Sequence, residues 1–157
     1  MSGEIRTQGS EVFVVDPTAT GTEIIKLGNI TDRGALGGEP ASIDITNLDS
    51  TRRVSMPGLE SDERFTVTVN IADGDEGHEW LEDNAGSVEE YQVIICDSTG
   101  VAPPTYSSGV VLPTDRNSRS FDARIAMFQI QGAAPDGVES AAIGFDITTD
   151  VVVTRKA

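Results

Sequence analysis

A chain of 157 residues makes one domain with its own core, since a globule of that size buries roughly 68% of its unfolded surface. Twenty-six acidic residues against 11 basic ones give a formal net charge of −15, which excludes a protein that grips nucleic acid through neutralised phosphates. A single cysteine, Cys96, excludes an intramolecular disulfide framework and a cysteine-only metal site, and no apolar run approaches membrane length. With no secretory pattern at Met1–Glu4, the expectation is a soluble protein of a reducing compartment, without membrane insertion.

Short β-branched runs recur between Gly, Pro and Asp punctuation, the pattern of a mainly β domain. Glu11–Asp16 ends at Pro17, and a turn through Thr20-Gly21 leads into a strand over Glu23–Leu27. Arg64–Ile71 alternates, with Phe65, Val67, Val69 and Ile71 facing inward. Glu89–Cys96 reads as buried on both faces, and weaker strands lie around Pro103-Pro104 and Ser108-Gly109. In Ser120–Gln131, Phe121, Ala123, Ile125 and Met127 share a face, but Phe128 and Ile130 change parity, which signals a bulge or deeper burial. Ala141–Thr154 reads as one last strand of ~46 Å. Ile143, Phe145, Ile147, Val151 and Val153 would face inward and Asp146, Thr148, Asp150 and Thr154 outward. Such a length asks for a large sheet to pair with and hints at an assembly.

One helix is predicted over Gly74–Ala85. Asp73 and Glu76 form its capping box, Gly86 supplies its stop, and Gly77, Trp80, Leu81, Asn84 and Ala85 fill one stripe, with Trp80 and Leu81 as core anchors. The 36 residues 28–63 read as a long arm with one strand-like patch, Ser42–Leu48, and with Arg33, Arg52 and Arg53 set conspicuously in an acidic chain. Residues 1–9 read as a flexible N-terminal arm, and the whole of 1–157 as a single domain.

Chemistry is nearly absent. His78, the only histidine, sits with Glu82 one turn ahead and reads as a surface residue paired with carboxylates, because a zinc site needs three or four ligands. Cys96 reads as a small buried hydrophobe. Asp73, Asp75, Gly77 and Glu79 echo a calcium loop but lack its closing bidentate Glu. The glycines of 34–38 lack the Lys-Ser/Thr of a phosphate loop, and the sequon at Asn29-Ile30-Thr31 is a pattern only. No base–nucleophile pair is present, so the expectation is a non-enzyme without cofactor or metal.

The order of parts resembles the major tail tube proteins of long-tailed, non-contractile bacteriophages. Thr7-Gln8-Gly9 before a strand, Lys26-Leu27-Gly28, and the segment Gly37-Gly38-Glu39-Pro40 followed by Ile43–Asp49 carry the likeness, with Arg53, Pro57-Gly58-Leu59, the helix and the long terminal strands. It covers about residues 7–154, although Pro103-Pro104 and Pro135-Asp136-Gly137 do not align. The resemblance implies a β-sandwich or partial-barrel subunit with one flanking helix and an extended arm. Six copies would close a β-barrel ring, and rings would stack into a hollow conduit for genome delivery. The implied partners are other copies of the chain, a tape measure protein, and tail terminator and tail tip proteins. Double-stranded DNA would pass through without specific binding, in a virion assembled in the host cytoplasm.

A conduit must not hold DNA, and carboxylates lining it repel a polymer that carries one charge per ~1.7 Å, over a screening distance of ~8 Å. Asp146, Asp150, Thr148 and Asp122 are the lining candidates, set against a plain solvated strand face. A ring with six times the −15 of one chain needs compensation between copies. Arg33, Arg52 and Arg53, with Asp44 and Asp49, are the candidates for inter-subunit or inter-ring contacts. A high-salt host is the alternative reading of part of the acid excess. The alternative function is a carbohydrate-binding β-sandwich on a virion or cell surface. It is disfavoured by the scarcity of aromatics, which are limited among the larger rings to Trp80, Tyr91 and Tyr106.

Overall fold

The computed structural model describes residues 4, 8–36, 42–49, 51–57, 64–131 and 137–157. Thr7, Gly37-Gly38-Glu39-Pro40, Gly58-Leu59, Pro135-Asp136 and most of the expected N-terminal arm therefore lie outside the described residues. In chain order the strands are β1 (Glu11–Val15), β2 (Ile24–Lys26), β3 (Ile30–Arg33), β4 (Ser42–Asp44), β5 (Ser55–Pro57) and β6 (Arg64–Asn70). Helix α1 (Glu76–Asn84) follows, then β7 (Tyr91–Cys96), β8 (Thr105–Tyr106), β9 (Val110–Val111), β10 (Ser118–Ile130), β11 (Ser140–Ile147) and β12 (Val152–Thr154).

Eight strands form one antiparallel sheet in the order β2-β1-β7-β10-β11-β6-β3, with β12 added beside β10. The alternation of β6 survives intact: Phe65, Val67 and Val69 are buried, and Arg64, Thr66, Thr68 and Asn70 face the other side. The sheet curls without closing, so that one core gathers Val12 and Val14 of β1, Phe65 of β6, Phe121 of β10 and Phe145 of β11. Phe65 meets Phe121 edge-on at 5.9 Å and Phe145 in a stack at 6.2 Å, arrangements that favour aromatic pairs beyond area alone. The two-sided burial of β7 has a separate cause on its reverse face, where Ile94 and Cys96 join Phe13 and Val15 beneath Tyr106, Val110 and Leu112 of the β8–β9 hairpin. Burial drives the Cys96 thiol up to about 11, as fits an inert apolar filler.

The parity change in β10 is a bulge. Ile125 pairs with Phe145 but Met127 with Gly144, so Ala126 is extra, Met127 turns to the outer face and Phe128 joins the core opposite Ile143. The expected 14-residue last strand is not continuous. Ser120 to Ala123 is three steps along β10, whereas the partners Val152 back to Ile147 span five, so two extra residues interrupt β11 and β12. Thr148 and Thr149 cause the break by hydrogen bonding the backbone of Asp122: Thr148 N donates to Asp122 O, and Asp122 N donates to Thr149 Oγ1. The simple alternation of Asp146, Thr148 and Asp150 is lost there. Val151 still packs on the core, but Val153 is exposed.

Helix α1 packs against one end of the curl. Its cap is Asp75, not Asp73; the Asp75 carboxylate accepts from Gly77 N and His78 N, and Gly86 at φ 80° takes the left-handed conformation that stops the helix. Leu81 is buried in the core, while Trp80 packs edge-on against Tyr91 at 4.9 Å and donates from Nε1 to Asp16. His78 is not a surface residue. At 2% exposure it accepts at Nδ1 from Ala72 N and donates from Nε2 to Gly28 O, pinning the helix to the chain that links β2 and β3.

Candidate functional site

Three surfaces carry the residues singled out by sequence. The first is the arm, whose opening residues belong to the main sheet: β3 pairs with β6, and Gly34 N continues the ladder to Thr66 O at 2.7 Å. A side chain at Gly34 would collide with that same oxygen. Beyond it stands the β4–β5 hairpin, a two-stranded sheet separate from the eight-stranded one. Its pairing extends through Ile45 N to Val54 O and a two-way bond between Thr46 Oγ1 and the backbone of Val54. The Thr46 side chain and then Thr46 N hydrogen bond Asp44 and hold its carboxyl below the usual range, and Asn47 Oδ1 accepts from Asp49 N to shape the tip. Local hydrogen bonds thus define the hairpin, yet its described residues are all exposed, including Ile43, Ile45, Val54, Met56 and Leu48, the last at 105%. An isolated two-stranded hairpin is marginal in water, and exposed apolar side chains in this density are the mark of an interaction surface. Arg52, Arg53, Asp44 and Asp49 all lie on it, so structure brings these four together; Arg33 instead sits on β3, bonded to Ser10 Oγ at 3.1 Å.

The second surface is the outer face of β10, β11 and β6. One cross-strand row runs Arg124–Asp146–Arg64, with Arg64 Nε donating to Asp146 at 2.9 Å. Asp146 is therefore a paired carboxylate. Asp122 and Thr148 are joined through the backbone bonds at the strand break, and Asp150 is exposed just beyond it. Among these four candidates, Asp150 alone is exposed; the other three are half-buried.

The third is a clamp that sequence reading missed. Arg116 is 0% exposed and donates to Asp97 O, Glu11 Oε1, Ala102 O and Gly9 O, tying the start of β1 to the end of β7 and to the loops before β8 and β10. Burial works to raise the Glu11 carboxyl, but hydrogen bonds from Lys26 at 2.6 Å and Arg116 at 2.8 Å outweigh it and hold the group below its ordinary value. The signal available in sequence was slight: an arginine inside the turn-forming run Asp115-Arg116-Asn117. No group of three or more metal-ligating side chains occurs among the described residues.

A curled sheet with a plugged end, a reverse face covered by a hairpin and a projecting apolar arm is the anatomy of a subunit. The model of the family described as phage tail tube, TTP, lambda-like, matches residues 3–157. The chain belongs to that family. It is a structural subunit of a phage tail tube, and thus a component of the virion. No curated protein matches it. Among solved structures, the SPP1 tail tube superposes with a TM-score of 0.72 at 15% identity, over 98% of this chain and 80% of that one. The sheath/tube terminator of an extracellular contractile injection system gives 0.69 at 12% identity, over 98% and 99% of the two chains. The sheath–tube complex of the same kind of system gives 0.64 at 15%, over 99% and 94%. At such identities these likenesses speak for the fold, which tubes of both contractile and non-contractile machines share. The carbohydrate-binding alternative is not favoured.

Proposed function

We propose that this tail tube subunit closes into six-membered rings that stack into a conduit for double-stranded DNA, and that it has no catalytic role. The observation that carries the reading is the hairpin: Ile43, Ile45, Leu48, Val54 and Met56 lie exposed on a two-stranded unit that joins neither core cluster of the chain, and another copy is the partner that would cover them. Arg52 and Arg53 on the same hairpin offset part of the repulsion between chains of net charge −15. Asp44 and Asp49 on that hairpin, and Arg33 apart from it on β3, act with them at the contacts between copies.

The outer face of β6, β10 and β11 is the proposed lining of the channel. Its carboxylates do not act as a bare negative wall, because Asp146 stands between Arg64 and Arg124. The effect on DNA is the same by another route. Asp146 offsets the charge of Arg64 and occupies part of its donor set, which weakens its hold on a phosphate, while Asp122 and Asp150 with Thr148 add charge and polarity at the strand break. A tape measure protein would fill the channel before DNA, and terminator and tip proteins would cap the tube, which is assembled in the host cytoplasm before joining the virion.

Negative-stain microscopy of the purified chain tests the reading. Tubes or six-fold rings are expected, and charge reversal at both Arg52 and Arg53 is expected to leave a folded monomer that does not polymerise. Normal tubes from that double variant count against the arginines, and a parent chain that stays monomeric at every concentration counts against the whole reading.

A further inference from the structure

The curled sheet has two ends, and they are finished differently. Helix α1 covers one with Leu81 and Trp80. At the other, Leu36 packs onto the core, and above it lies a cleft of about 420 Å³ lined by Arg33, Gly34, Ala35, Leu36 and Arg119. Arg119 reaches this end because it shares the parity of the core residue Phe121, one position beyond the last phenylalanine of that face, opposite Ile95 and Val153. Two arginines thus line one cleft beside Leu36, with Arg33 also bonded to Ser10 Oγ, and among the described residues no carboxylate lines the cleft, in a chain with 26 acids. Such a lining fits an occupant that brings a carboxylate to the arginines and one apolar side chain to Leu36.

We propose that the cleft receives the hairpin tip, Leu48-Asp49, of a second copy of this chain; the proposal rests on the tube reading and names the receptor for the arm. Among the described residues Leu48 is the most exposed large apolar side chain, and Asp49 follows it directly, held at the tip by the Asn47 turn. The tip stands roughly 20 Å from the hairpin's base at Ser42, at the usual rise per strand residue, and it is a patch different from the cleft. A contact between two different patches is head-to-tail, and it propagates into a ring or a filament instead of stopping at a dimer.

Cysteine cross-linking decides it. The native Cys96 is buried and silent, so Asp49→Cys chains mixed with Ala35→Cys chains, both at exposed positions, report on the one contact. A disulfide-linked dimer of the two variants under oxidising assembly conditions, absent from either variant alone, is expected. Separately, Asp49→Lys is expected to raise the concentration needed for assembly about ten-fold, the scale of one well-formed ion pair across an interface, and Arg119→Glu in the same chain to restore it. Tubes that form while the mixture stays unlinked overturn the proposal and leave the tube reading standing, as does a dimer formed instead from Val88→Cys chains, whose exposed Val88 also neighbours two glutamates. A parent chain that forms neither rings nor tubes overturns both.

Discussion

In the curled sheet Phe65, Phe121 and Phe145 lie within a closed set of apolar neighbours, whereas the β4–β5 hairpin displays Ile43, Ile45, Leu48 and Met56 to solvent. Both regions are built by the same alternation of apolar and polar residues. In the sheet each apolar face has a facing layer within the chain; in the hairpin it has none. The body therefore has its facing layers within a single copy, while the hairpin contributes little to its stability and, in the proposed assembly, takes its facing layer from another copy. Substitutions of similar size should separate the two regions cleanly, large in one and nearly silent in the other.

The strongest expected effect lies where three strands converge. Phe145→Ala removes a ring stacked on Phe65 and leaves a cavity, at a cost of about 3–5 kcal/mol against a total stability of about 5–15 kcal/mol. Urea denaturation of the monomer should show an unfolding free energy lower by that amount, read from a lower midpoint at unchanged m. Arg116→Met comes next, at about 2–4 kcal/mol by the same measurement, since it leaves Asp97 O, Ala102 O and Gly9 O without their buried donor, although Glu11 keeps Lys26. A cost no larger than that of an exposed surface change would show that the clamp is dispensable.

Acidification probes the same body. Burial opposes ionisation of Glu11, Asp16 and Asp97, but hydrogen bonds from Lys26 and Arg116, from Thr18 and Trp80, and from Thr99 and Asn117 prevail and lower all three. The unfolded chain thus takes up protons first. The stability these groups supply is complete above their ordinary values of 4.5 for Glu and 3.8 for Asp, and is lost as pH falls through the lower folded values. Protonation also relieves the repulsion of a −15 chain, so the informative quantity is a difference: the parent should lose more stability below about pH 4 than the triple variant Glu11→Gln, Asp16→Asn, Asp97→Asn. A smaller and local effect is expected at the helix cap, where Asp75→Ala should cost about 1 kcal/mol, whereas Asp73→Ala should be nearly neutral.

The contrast between the two caps shows where the sequence was legible. Residue parity located the core strands, the helix, its glycine stop and the bulge in β10, because each follows from periodicity or from a backbone need that one residue type meets. What escaped depends on partners distant in sequence. Asp73 and Asp75 both suit a cap, and the choice falls to Asp75 because His78 anchors the first turn to Gly28. The break after Ile147 arises from threonines that bond Asp122, 26 and 27 residues away, and Asp146 gains its arginine from a strand 82 residues earlier. The arm was visible as an interruption, but the exposure of its apolar residues was not, since Ile43 and Ile45 are the same letters that elsewhere mark a core.

That ambiguity makes the hairpin the sharpest place to break the comparison. Ile43→Asp with Met56→Asp changes a directly opposed pair on β4 and β5. If the hairpin belonged to the folding unit, two charges in place of two large apolar groups would be among the most damaging changes available. Both side chains are about half exposed and touch no core cluster, so the thermal midpoint of the monomer should correspond to a change within about 0.5 kcal/mol, the scale of ordinary surface substitutions, less whatever the two opposed charges lose locally. Assembly should nevertheless fail, because the same carboxylates would be buried without partners once a second copy closed over them. A monomer destabilised by several kcal/mol would place the hairpin inside the fold, and tubes formed at the parent's concentration would leave its apolar face without a function.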